Sequence, residues 1–170
     1  MLRIRRRSAA TLVVTFLGTL LLISAVTFGS SAPLAHSVTG SGIAEEEVEE
    51  GVSIIFRTTI AAHQKANGNV SGNVVVNVDL SQVGVAKLIT FRQNVVCMEV
   101  DDNSAWVGGI VTESNDEEVI PTGTSVITLV RDLGGNGEDI MHGEPVVGVT
   151  CEDRPEFAET VVKHGNYKVK

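Results

Sequence analysis

The stretch NVVVNVDL, Asn73 to Leu80, alternates more cleanly than any other part of the chain. Val74, Val76, Val78 and Leu80 fall on one side of an extended backbone. Asn73, Asn77 and Asp79 fall on the other. Period-two alternation buries one face and wets the other, so this segment reads as a half-buried β-strand.

The same pattern extends outward in both directions. Upstream, VSIIFRTTIAA places Ile54, Phe56, Thr58 and Ile60 on one face, and NGNVSG at Asn67–Gly68 supplies a turn. Downstream, AKLITFR, NVVCMEVD, SAWVGGIVTE, TSVITLVRD, VVGVTC and a terminal GNYKV each read as short strands between Gly, Asn and Asp breaks. Only the region around Pro155 to Lys163 suggests a short helix. About eight strands with no alternating helices predict an all-β fold, a single antiparallel β-sandwich or small β-barrel.

The segment VCMEVDDNSAWVGG, starting at Val96, reads as a hairpin. Val96, Met98 and Val100 share one face, and Val95, Cys97 and Glu99 the other. Residues 101–104, DDNS, tolerate the backbone of a tight turn. Trp106 and Ile110 share a face on the return strand, and Gly108 and Gly109 mark a bulge, a sharp bend or a close backbone approach.

The N-terminus has a different character. Arg3, Arg5, Arg6 and Arg7 precede an uncharged run from Ala9 to Phe28, followed by small residues. This order is that of a secretory signal peptide. The run is about 20 residues, which also suits an uncleaved membrane anchor. Residues 1–35 are therefore read as signal peptide or N-terminal membrane anchor, and the remainder as exported: secreted, or extracytoplasmic and anchored by that segment. Residues 36–51 contain five glutamates in six positions between glycines and read as an acidic flexible linker. Residues 52–170 form the predicted β domain.

The chain has 13 basic and 21 acidic residues, a formal net charge of −8. Without the four leader arginines, 9 basic face 21 acidic residues, a net of −12. Such a surface repels phosphate backbones and anionic membranes, so no nucleic-acid partner is expected, and membrane contact only through an uncleaved N-terminal segment. No specific partner can be named from the sequence.

Cys97 and Cys151 are the only cysteines. In an oxidising compartment an isolated pair most simply forms a disulfide; two buried free thiols are the alternative.

The segment NVVCMEVDDNSAWVGGIVTESND resembles the signature of a recurrent group of uncharacterised exported all-β bacterial proteins, V-x-C-L-x-V-x-G-N-x-A-x-V-G-G-x-V-T. Cys97, Val100, Asn103, Ala105, Val107, Gly108, Gly109, Val111 and Thr112 fall on it. Asp132, Gly134 and Asp139 fall on a later acidic loop of that group, Cys151 on its second cysteine, and Gly165, Asn166 and Val169 on its last motif. Asp102 departs from it by replacing a glycine. The resemblance implies an exported β domain with a cysteine pair and assigns no activity.

Candidate sites are few. DLGGNGEDIMHGE, Asp132 to Glu144, partly matches a calcium loop, with Asp132, Asn136, Glu138 and Asp139 as candidate ligands; the alternative is an acidic connection between strands, with no cofactor. Nucleophile elbows and zinc motifs are missing, and His63, His142 and His164 read as surface residues. The exported part has only five aromatic residues, which argues against carbohydrate platforms and base stacking. Enzymatic activity is therefore uncertain and disfavoured. The first functional reading is a structural or interaction module at the cell surface. The second is a lipocalin-like carrier of a small apolar ligand, with Trp106 at the mouth and Asn103, Gly108 and Gly109 beside it.

Overall fold

The computed structural model describes residues 32–85, 87–134 and 138–170. They form one antiparallel sheet of eight strands that curls into a half-barrel. The strands are β1 (Leu34–Glu49), β2 (Val52–Lys65), β3 (Val70–Asp79), β4 (Leu88–Asp101), β5 (Ser104–Ser114), β6 (Ser125–Arg131), β7 (Ile140–Val146) and β8 (Val162–Val169). β1 to β7 follow one another as a meander, and β8 returns to pair with β1. No described helix is long and apolar enough to cross a membrane. The expected leader falls almost wholly outside the described residues.

The alternation of β3 sets the inner face as expected. Val74 and Val76 are buried, as are Thr58, Ile60 and Ala62 of β2. From β5 and β6, Ala105, Val107, Val111, Val126, Thr128 and Val130 complete the interior. The tight turn between β4 and β5 is made at Asp102, whose φ is 51°, the left-handed conformation that short polar side chains tolerate.

Several expectations fail. Residues 36–51 are not a flexible linker: all but the last two lie in β1, paired with β2 and, from Val38 to Ala44, with β8. Val38 and Ala44 are fully buried, and the glycines between them make room for a large neighbour. A Cβ on Gly42 would stand 2.8 Å from both Tyr167 Cε2 and Val162 Cγ1. Four of the five glutamates occupy the exposed end of this strand and Glu50 follows it, where charge discourages edge pairing with another chain.

The helix expected near Pro155 is absent. Residues 155–160 run without regular structure to a bridge between Val161 and Ile140. VVGVTC contributes only its first residue to a strand; Val147 is fully exposed, and β7 lies upstream. From Leu88 on, the two expected strands that end in LITFR and NVVCMEVD join into the single long strand β4.

β4 also carries the bulge. Val95 opposes Gly109 and Cys97 opposes Gly108, which leaves Val96 as the extra residue. The bulge inverts the face expected for Val96. Val95 and Met98 are buried, and Val96 is half exposed.

The two edges of the curled sheet meet only in part. Met141 N–H donates to Thr160 O, and Val162 N–H donates to Asp139 O. Below this bridge, carboxylates take the place of strand pairing. Asp139 Oδ2 accepts from Tyr167 N–H at 2.6 Å, and Asp132 Oδ2 from Val169 N–H at 3.3 Å.

Candidate functional site

Above the Ile140–Val161 bridge the edges part. β8 ends its pairing with β1 at Ala44, and beyond that point β1 has only β2 beside it. Likewise β7 has only β6 from His142 to Val146. Since Met141 points its N–H outward to Thr160, strand alternation turns Gly143 and Pro145 outward too. Pro145 has no N–H, so this edge is a poor template for another strand.

Behind the gap is a cavity of about 270 Å³. Its wall is built from inward positions of the strands: Phe56 and Thr58 from β2, Val76 and Val78 from β3, Ile89 and Phe91 from β4, Val126 and Thr128 from β6. Val119 and Ile120 close it from the β5–β6 connection, and Ala44, Glu46, Met141 and Pro145 flank the gap. Glu46 is exposed and continues the inward alternation of Val38 and Ala44. The lining is therefore apolar, with a carboxylate at the rim. For scale, a dry cavity of about 150 Å³ holds benzene.

Around the gap, His142 is held from outside. Its ring nitrogens meet Thr160 Oγ1 at 3.2 Å and Glu144 Oε1 at 2.9 Å, and the ring stacks on Phe157 with centroids 5.6 Å apart. Deeper in the interior, Tyr167 is completely buried and its hydroxyl donates to Thr58 O at 3.0 Å. Burial, reinforced by the nearby Asp139 charge, pushes the phenol far above its ordinary range.

The residues expected to bind a ligand are dispersed. Trp106 is not at a mouth. It lies on the outside of the sheet, where its indole N–H donates to Pro155 O at 3.0 Å and Arg154 sits 5.6 Å from the ring centroid. Arg154 in turn meets Glu99 at 2.7 Å and Asp101 at 2.6 Å. These contacts fasten the irregular segment after β7 over the β4–β5 hairpin. Asn103 is in the hairpin turn, where its carbonyl accepts from Asp132 N–H. Gly108 lies beneath the sulfurs of Cys97 and Cys151, which are 2.06 Å apart, a disulfide. A Cβ on Gly108 would stand 2.5 Å from Cys97 Sγ and 2.5 Å from Val149 Cγ1. Gly109 lies beneath Gln93 on the inner face.

The calcium candidates also have other partners. Asp132 accepts from Gly134 and Val169 N–H, and Asp139 from Leu133 and Tyr167 N–H. These two carboxylates fasten the β6–β7 connection to β8. Glu138 is exposed, and Asn136 lies outside the described residues. No cluster of three or more His, Cys, Asp or Glu suited to a metal occurs among the described residues. His63 and His142 are partly buried rather than surface residues; His164 is exposed.

The sequence exposed half of the cavity wall as the inward faces of β2 and β3. The space itself escaped it, since a cavity depends on how far apart β1 and β7 end. Comparison with known families, with curated proteins and with solved structures returns no match for the chain.

Proposed function

We propose that this protein is an exported, non-enzymatic β domain that carries a small apolar ligand inside its half-barrel. The observation behind this reading is the apolar cavity at the gap between β1 and β7. Concave apolar sites with a few polar groups are where small molecules bind. Export is supported by the basic and apolar N-terminal sequence, and the Cys97–Cys151 disulfide suits an oxidising compartment. The carrier reading takes precedence over the surface-module reading because it accounts for an interior left unfilled.

Calorimetric titration of the full chain with 1-octanol tests it. Burial of an eight-carbon chain predicts a Kd on the order of 100 μM after the cost of association. Val76→Trp fills the cavity from β3 and abolishes the heat of binding. Absence of binding in the unmodified protein, or equal binding in Val76→Trp, overturns the proposal.

A further inference from the structure

We infer that the cavity selects an amphiphile with a cationic head, an alkylammonium type of ligand, and rejects carboxylates such as fatty acids. The inference rests on the carrier reading and adds the ligand's charge to it. Of the residues that line the cavity, Glu46 is the only carboxylate, and none is lysine or arginine. Glu46 is an inward position of β1 within its exposed acidic end and makes no ion pair among the described residues. The charges next to it in sequence have the same sign: Glu45, Glu47, Glu49 and Glu50. On the opposite side of the gap, Glu144 stands between Gly143 and Pro145, two residues that line the cavity, and its carboxylate meets the ring of His142, which lines the cavity too.

An apolar tail in the cavity places its head near the gap, beside an unpaired carboxylate and within a field of negative charge. The low-dielectric wall at that site weakens solvent screening on one side. An ammonium head gains attraction there, a hydroxyl is indifferent, and a carboxylate head is repelled. The net charge of the whole chain, −8, acts in the same direction.

Three ligands with the same tail separate this inference from the carrier reading: octylammonium, 1-octanol and octanoate, titrated into the full chain at low salt and neutral pH. The expected order is octylammonium at least about fivefold tighter than octanol, and octanoate at least about fivefold weaker, the ratio for one unit-charge contact at the edge of water. In 0.5 M NaCl the spread contracts to about twofold. Glu46→Gln narrows it, and Glu46→Lys brings octanoate ahead of octylammonium. Glu46 is exposed, so both variants keep the fold. Octanol binding with octanoate equal to or tighter than octylammonium overturns the inference and leaves the carrier reading standing. A spread unaffected by Glu46→Lys also overturns it. If none of the three binds, both fail.

Discussion

The side-chain amide of Gln93 lies directly over Gly109: its Oε1 is 2.7 Å from the point a Cβ at 109 would occupy. Gln93 is completely buried, and neither its Nε2 nor its Oε1 has a hydrogen-bond partner among the described residues. An unpaired buried amide costs about 1–3 kcal/mol, whereas an apolar side chain of similar shape does not bear that cost. Gln93→Leu is therefore expected to raise stability by about 1 kcal/mol or more, measured as a higher midpoint in chemical denaturation. A lower midpoint would mean that the amide is satisfied by ordered water. Gly109→Ala, by contrast, is expected to lower the midpoint, because its Cβ would also come within 2.8 Å of Asn94 O.

The disulfide depends on a glycine in the same way. It links residues 54 apart, which on the chain-entropy account corresponds to about 4 kcal/mol. Gly108→Ala forces a methyl group against both sulfurs, with Cys151 Sγ 2.9 Å from the new Cβ. The expected result is a loss of about 1–3 kcal/mol through overpacking. Reduction has a local readout as well. Trp106 is the only tryptophan, and the segment containing Cys151, Arg154 and Pro155 covers it. Reduction should shift its fluorescence to the red before the sheet unfolds by circular dichroism. A single concerted transition would show that the cover and the sheet are one unit.

Tyr167, the only tyrosine, gives a clean optical titration. Burial first, and the Asp139 charge second, hold the phenol neutral well above its ordinary value of about 10. The folded pKa is raised, so the stabilisation is fully present below pH 10 and is lost as pH rises from there toward the folded value. Tyrosinate absorbance at 295 nm should remain absent past pH 10 and appear only together with alkaline unfolding. Independent titration near pH 10 in folded protein would contradict the buried placement. Tyr167→Phe should cost about 1 kcal/mol for the lost bond to Thr58 O.

The all-β class was legible because period two is local. Val74, Val76 and Val78 announce their strand whatever lies around them. β1 was not legible, since HSVTGSGIAEEE has the composition of a tether. Only the approach of β8, chiefly Asn166 and Tyr167, to Gly40 and Gly42 explains those glycines, and that contact spans more than 120 residues. The sequence pattern also predicts eight strands, but through offsetting differences: it passes over β1, divides β4 in two, and places the seventh strand in the apolar run before Cys151 instead of at Ile140–Val146. Alternation places Val96 on the face of Met98, and the structure does not, because a bulge shifts the phase by one residue without changing composition. Trp106 drew attention as a rare aromatic beside glycines, but those glycines serve the disulfide and Gln93.

The connection between β5 and β6 closes the cavity with Val119 and Ile120, and carboxylates hold it in place. Asp116 is buried against Lys87, and that contact is the main cause of its lowered pKa. Glu117 accepts from both the backbone N–H and the hydroxyl of Thr122, which lowers its pKa also. Both folded pKa values lie below the unfolded ones. Their stabilisation is present above about pH 4 and disappears as pH falls through the depressed values. Acid should therefore open this closure while the sheet persists. In an NMR titration from pH 6 to pH 2, the amides of Ile120 and Thr122 are expected to shift or broaden below about pH 4. Those of Val107 and Val130, whose side chains are fully buried, should be unchanged until global unfolding. Lys87→Ala should move the onset upward in pH, because the attraction that depresses the Asp116 pKa is gone. Simultaneous loss of all four signals would show that the connection is no weaker than the sheet.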